Sequence, residues 1–323
     1  MASLARYLGL FTVVVAGLTQ VDIRPVHAYP DDPRLQRRIA ELESENRALR
    51  KILQDIQQTL DLVPQRKLVP QAGRDDSLRI IVFSDDWGGS QLEDIRKVCL
   101  SSASALWSEM DNDGLAPILV RRSRTGPITL FRRGNGHEFI VKLDTGGNAW
   151  AQCAFQFSHE FCHIVCNYRD VPNQQLWFEE TLCECASLYA LRRMSKVWKT
   201  KPPYPNWAAY SHALKDYADQ RMQKYQDQTK SIAEYYRSHR LDLEKSATQR
   251  ELNGYIATKL LPYFEKSPAS WQALRYLNLG PATENQSFTK YLSAWRERVP
   301  GRHRAFVDSI AAEFEIDLTP TDR

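Results

Sequence analysis

Two hydrophobic periods succeed one another along the 323 residues of this chain. From Pro33 to Leu62 apolar side chains recur every 3.5 residues, with Ile39, Asn46, Leu53 and Leu60 in one core row and Leu35, Leu42, Leu49 and Ile56 in the other. So narrow a seam over about four heptads predicts a coiled coil, in preference to a lone helix folded onto the domain that follows. In a parallel pair Arg38 faces Glu43 and Glu45 faces Arg50, and Asn46, the one polar core position, fixes register and favours two strands. Segment 29–63 is therefore expected to join two copies as a homodimer. Segment 64–76, with Pro64, Pro70, Gly73 and the pair Asp75-Asp76, reads as a linker.

Beyond residue 77 the period changes. Leu78–Phe83, Ile118–Arg121, Ile128–Arg132 and Glu138–Leu143 are predicted strands, punctuated by Pro117, Gly126-Pro127 and Gly134-Asn135-Gly136. Ser90–Met110 is a predicted helix with Ser90 as its N-cap and Leu92, Ile95, Val98 and Cys99 on one face. Asp144–Asn148 is a loose loop, after which the chain turns helical around Phe155, Phe157, Phe161, Ile164 and Val165. Past Glu184 helices are expected through Arg193, then over Ala208–Lys230, Ile232–His239, Tyr255–Glu265, Trp271–Leu277, Phe288–Arg298 and His303–Phe314. The class is α+β: a small mixed sheet, then a helical C-terminal part, in one domain over 77–323 behind the coiled-coil helix.

The N-terminus reads differently. Arg6, the apolar run Leu8–Leu18 and Val26-His27-Ala28 suit a secretory signal over 1–28, cut after Ala28. The run is too short to span a bilayer, although an uncleaved anchor or a buried helix is the alternative. The expected location is secreted or periplasmic. Forty-three Lys and Arg against 39 Asp and Glu leave a formal charge of only +4. No nucleic-acid motif accompanies it, and none is expected as a partner.

The chemistry concentrates in Phe157-Ser-His159-Glu160-Phe-Cys-His163 and Trp177-Phe178-Glu179-Glu180-Thr-Leu-Cys-Glu184. Residues four apart share a helix face, about 6 Å between Cβ atoms, so His159 and His163 can aim at one ion. Glu160, beside the first histidine, can take a proton from water at that ion. A catalytic zinc needs a third protein ligand and an open fourth position. Glu180, opening the next helical stretch, is the candidate, ahead of Glu179. Glu184, one turn on, is placed to accept the second ring N–H of a ligand histidine.

With those residues in view, the segment resembles the gluzincin metallopeptidases, thermolysin-like and aminopeptidase-N-like. Their pattern is H-E-x-x-H followed about twenty residues later by a glutamate ligand on a helix. The resemblance covers about a third of the chain and implies a zincin-like fold, bound Zn²⁺ and hydrolysis of peptide or protein substrates. It also implies that the last strand of the sheet borders the cleft. The chain departs from the pattern at Thr181, where a small residue is usual, and in lacking an upstream G-x-M-E-N. The oxyanion donor of the aminopeptidase-N-like families opens a later helix as Tyr-x-x-Gly; Tyr255-Ile-Ala-Thr258 is similar and makes Tyr255 the candidate, with His212, Tyr210 and His239 as rivals.

Six cysteines, Cys99, Cys153, Cys162, Cys166, Cys183 and Cys185, crowd the same region. In an exported chain an even count suggests disulfides. If the two site helices run antiparallel, Cys162 with Cys183 is the favoured pair over Cys166 with Cys185. Two other functions use the same residues: a peptide-binding pseudopeptidase that does not cut, and a cysteine-based metal or redox scaffold. The second is disfavoured because no C-x-x-C occurs. Arg121, Arg122, Arg124, Arg132 and Arg133 read as a solvated strand face, with a preference for acidic substrates as the alternative.

Overall fold

The computed structural model describes residues 78–111, 114–281 and 285–318. The signal, coiled-coil and linker segments lie outside the described residues. Four strands form one sheet: β1 (Ile80–Val82), β2 (Ile118–Arg122), β3 (Ile128–Leu130) and β4 (Phe139–Leu143). Their spatial order is β1-β2-β4-β3, and only β3 runs antiparallel to its neighbour. Ile118, Leu119 and Val120 of β2 are all buried, as an apolar run covered on both faces must be. Parallel β1 and β2 need a crossover, which α1 (Leu92–Trp107) provides.

Helix α1 starts one residue after Gln91, not at Ser90. The Ser90 hydroxyl is spent elsewhere: it donates to the Gly147 carbonyl at 2.6 Å, tying the start of α1 to the loop before the next helix. That helix is α2 (Trp150–Val165), and α3 (Leu176–Trp198) follows it. Trp107 of α1 meets Phe161 of α2 edge to face at 6.0 Å.

Helix α3 is buried around most of its circumference, which marks an element at the centre of a domain. It is packed by α1, α2, α4 (Ser211–Gln223) and α6 (Arg250–Lys266). The remaining helices are α5 (Ile232–Lys245), α7 (Phe288–Arg298) and α8 (Gly301–Glu313), with 3-10 turns over Pro205–Tyr210 and Pro268–Tyr276. The helix expected over Ala208–Lys230 is thus a 3-10 turn followed by a shorter α-helix. Trp207 in that turn stacks against Trp150 at 5.3 Å and packs near Trp198 at 5.4 Å, so tertiary packing decides the break. The expected class stands: α+β, a small mixed sheet and a largely helical remainder.

One strand expectation is corrected. The last strand, β4, is paired on both sides and is interior to the sheet, whereas β3 is the edge. The edge position falls to β3 because the turn between β3 and β4 folds the shorter strand to the outside.

Candidate metal centre

Trp177 and Phe178, in the first turn of α3, set the position of the two glutamates that follow. Trp177 is wedged against Tyr236 (5.3 Å) and Phe288 (4.8 Å), and Phe178 against Phe288 (5.1 Å) and Phe314 (6.0 Å), so α5 and α7 help clamp the start of α3. On the facing side, Phe157 and Phe161 hold α2 in the core with no exposure. His159, Glu160 and His163 then share one wall of a cavity of about 690 Å³ with Glu179, Glu180 and Glu184 of α3. That volume suits a ligand site.

The Glu180 carboxylate reaches both histidines, with Oε2 3.2 Å from His159 Nε2 and Oε1 3.6 Å from His163 Nε2. Two donors about 2.0–2.1 Å from a tetrahedral ion stand about 3.3–3.4 Å apart, and the observed separations bracket that value. The two rings are 5.0 Å apart, centre to centre. His163 Nδ1 is held at 2.7 Å by Glu179 Oε1, while Asn278 Nδ2 donates to Glu179 Oε2 at 2.6 Å. Tyr291 in turn donates to Asn278 Oδ1 at 3.1 Å. The carboxylate in hydrogen-bond contact with the Nδ1 of a histidine of the pair is thus Glu179, in the place expected of Glu184. Glu184 Oε2 stands 4.0 Å from His159 Nδ1, an ion-pair distance too long for a hydrogen bond.

The electrostatics follow from this packing. Burial works against charge on His163, but the adjoining Glu179, with Glu180 and Glu160, outweighs it and pushes its pKa up to about 10. For His159 burial is again opposed and overcome by Glu180, so its pKa is raised. Burial would raise Glu180, yet its histidine partners hold it below the usual carboxylate range. Glu184 is raised, chiefly by burial. The carboxylates of Glu160, Glu179 and Glu180 thus favour positive charge at the two imidazoles.

A third class of donor is nearby. Cys183 Sγ and one nitrogen of each histidine lie within 4.8 Å of one another. Burial pushes the Cys183 thiol well above its usual pKa. The two histidines thus have two neighbouring donors of different class, the Cys183 sulfur and the Glu180 carboxylate. All six cysteines are buried free thiols. The expected disulfides are therefore not formed: Cys162 neighbours Cys183 with no bond between them and lies 3.9 Å from the Cys166 sulfur.

Glu160 is only 4 % exposed, but it lines the cavity. Thr129 of β3 donates its hydroxyl to the Glu160 carboxylate at 2.8 Å and also approaches the Glu160 carbonyl at 3.0 Å. The sheet edge thus fixes the acid beside the histidines. Nothing in the sequence singled out Thr129, or Asn278, which is 99 residues from its partner. Thr181, the departure from the motif, is absorbed by helix geometry, since its hydroxyl donates back to the Trp177 carbonyl at 2.9 Å.

Tyr255 does not join the site. It is fully buried among Tyr225 and Tyr235, its hydroxyl donates to the Lys230 carbonyl, and it does not line the cavity. The reason is rotational: at this point in α6 its side chain faces α5, while Arg250, Glu251 and Asn253 line the cavity instead. The rivals are also elsewhere. Tyr210 donates to the Asn148 carbonyl at 3.2 Å, His239 packs on Tyr235 at 4.6 Å, and His212 is exposed and outside the cavity. The phenols that do line it are Tyr168, Tyr217 and Tyr225. The arginines of the sheet are structural: Arg121 pairs with Asp85 at 2.8 Å, Arg122 donates to the Asp86 carbonyl at 2.7 Å, and Arg133 lies over Phe139 at 3.1 Å.

Compared with known proteins, the chain matches no family model, no curated sequence and no solved structure. The functional reading therefore rests on the site.

Proposed function

We propose that this chain is a zinc-dependent peptidase of the gluzincin kind, exported through its N-terminal segment and paired through segment 29–63. The observation that carries the reading is the Glu180 carboxylate spanning the Nε2 atoms of His159 and His163 at 3.2 and 3.6 Å. These three residues would hold the ion, and Zn²⁺, with its preference for a His₂Glu set, supplies Lewis acidity toward a carbonyl and toward water.

The chain's own residues do the rest. Glu160 takes the proton of the attacking water and returns it to the leaving amine. Thr129 keeps its carboxylate turned into the cavity, and Glu179 holds the tautomer of His163 that leaves Nε2 free. Edge strand β3, with Ile128 and Thr129 on the cavity, offers backbone groups to an extended peptide. The oxyanion donor falls to one of the three phenols lining the cavity.

Metal content, together with cleavage of a mixed peptide library with and without a chelator, tests the reading. Glu160→Gln is expected to keep one zinc per chain and to lose 10²–10⁴-fold in turnover. A zinc-loaded wild-type protein that cuts nothing in the library would leave the pseudopeptidase reading instead. Zinc retained after Glu180→Ala but lost after Cys183→Ala would point to the cysteine-based site.

A further inference from the structure

One wall of the cavity, where the end of α4 meets the start of α6, carries two guanidinium groups that touch no carboxylate of the protein among the described residues. Arg221 of α4 lies half-buried over the Phe155 ring at 4.3 Å, and its Nη2 donates to the Tyr217 hydroxyl at 3.0 Å. Only one of its five N–H donors is used in this way. Arg250 is exposed on the same wall and, among the described residues, makes no hydrogen bond or ion pair. Lys224, the third cation, is already paired with Glu251 at 3.7 Å.

The acids facing this wall are Glu184, within electrostatic reach of both arginines, Glu180, within reach of Arg250, and Glu251. Glu184 is directed to His159, and Glu251 to Lys224 and to the Tyr225 hydroxyl. None of the three is in contact with either guanidinium among the described residues, so the arginines' N–H donors are not taken by these acids. Helix stability does not account for Arg250 either, because a cation in the first turn of a helix opposes the macrodipole. A planar guanidinium held against two rings, with its remaining edge toward a cavity, is shaped to receive a carboxylate in bidentate fashion.

From this juxtaposition we infer that Arg221 and Arg250 bind a carboxylate of the substrate, so that the enzyme selects peptides bearing a negative charge near the cleaved bond. The inference rests on the peptidase reading for the word substrate. The carboxylate comes either from an Asp or Glu side chain or from a free C-terminus. Both present the same group to the arginines, and they differ in how far it stands from the metal centre.

The test uses zinc-loaded Glu160→Gln protein and fluorescent hexapeptides of one sequence in three forms. One is neutral with an amidated end, one has a free C-terminal carboxylate, and one is amidated with Asp walked through each position. Anisotropy is expected to show at least tenfold tighter binding for one of the anionic forms, and which one identifies the source of the group. In Arg221→Gln/Arg250→Gln that ratio should fall below threefold. Arg250→Gln alone, a change at an exposed residue that leaves the core intact, should reduce it at least threefold, and Arg221→Lys should restore only part of it. Equal binding of all forms, or a preference that survives the double substitution, overturns the inference. Wild-type hydrolysis of neutral and anionic peptides at equal rates sinks this inference and spares the peptidase. No hydrolysis, with the binding preference intact, sinks the peptidase and spares the charge selection.

Discussion

Replacing Glu179 by Gln separates an orienting residue from a ligand at the metal centre. Glu179 is 1 % exposed and bridges His163 Nδ1 at 2.7 Å and Asn278 Nδ2 at 2.6 Å. Glutamine preserves its volume. Its oxygen can still accept from His163, but its amide nitrogen then faces the Asn278 donor. Asn278 must flip, and its nitrogen then donates to the Tyr291 oxygen, which at present donates at 3.1 Å. The chain of hydrogen bonds reverses at the cost of the Tyr291 O–H losing its present acceptor, a penalty of about 1–3 kcal/mol that falls on the metal-free protein. What is lost is the negative charge that makes the imidazole a stronger ligand, an outer-shell change costing about 10–100-fold in metal affinity.

The assay is zinc titration of the metal-free proteins against a competing chromophoric chelator, with thermal unfolding as a second readout. At free zinc about 100 times the wild-type Kd, binding adds about 2.7 kcal/mol of stability, and a 30-fold weaker variant retains about 0.9 kcal/mol. For a domain of this size the zinc-induced rise in Tm shrinks by about 4–8 °C. Unfolding in chelator measures any loss in the metal-free state separately. Glu184→Gln should weaken zinc less than Glu179→Gln, because Glu184 stands 4.0 Å from His159 Nδ1, and Glu180→Gln should weaken it more than either. Wild-type affinity in Glu179→Gln, or a larger loss at Glu184 than at Glu179, would refute the roles given to these three acids.

The parts of this site that were legible in the sequence are those set by spacing along one helix. His159, Glu160 and His163 share α2, and the distance to Glu180 is short enough for α3 to return beside it. Helix rotation also accounts for Glu180 reaching both histidines while Glu179 reaches only His163. What rotation along α3 does not show is the partner of Glu179: Asn278, between the second 3-10 turn and α7, lies behind it. Glu184 lies on the expected face but rises with the helix, so the gap to His159 opens to 4.0 Å. Tyr255 failed for a related reason: its choice rested on a motif at the start of a helix, while its direction was decided by aromatic packing with Tyr225 and Tyr235. The strands were legible by alternation, but their spatial order was not. Apolar alternation marks which residues pair, and it does not say whether β3 or β4 is outermost. The cleft edge, and Thr129 with it, depends on that order.

Three further outcomes follow from the structure. Thr129→Val removes the side-chain hydroxyl given to the buried Glu160 carboxylate and should cost about 1–3 kcal/mol in chemical unfolding together with a fall in turnover; unchanged values in both would detach β3 from the site. Asp85 accepts from Arg121 Nε at 2.8 Å, Nη2 at 3.0 Å and the Arg122 backbone at 2.8 Å; burial raises its pKa, but these partners win and hold it below the ordinary value. A depressed carboxylate contributes stability above its unfolded pKa and loses it as pH falls through the folded one, so Asp85→Asn should cost about 2 kcal/mol at pH 7. Guanidinium melts that show the same gap at pH 7 and in strong acid would contradict that pairing. Finally, Tyr255→Phe distinguishes a core tyrosine from a catalytic one. An oxyanion donor contributes about 10²–10³-fold to turnover, whereas a phenol whose hydroxyl serves the Lys230 carbonyl contributes about 1 kcal/mol to folding. The expected result is turnover within threefold of wild type and a Tm lower by about 2–4 °C. Phenylalanine at Tyr168, Tyr217 and Tyr225, which line the cavity, supplies the contrast: one of these three should show the large kinetic loss that Tyr255→Phe lacks. A hundredfold fall in turnover at Tyr255 with stability unchanged would mean that α6 turns this side chain toward the cavity during catalysis.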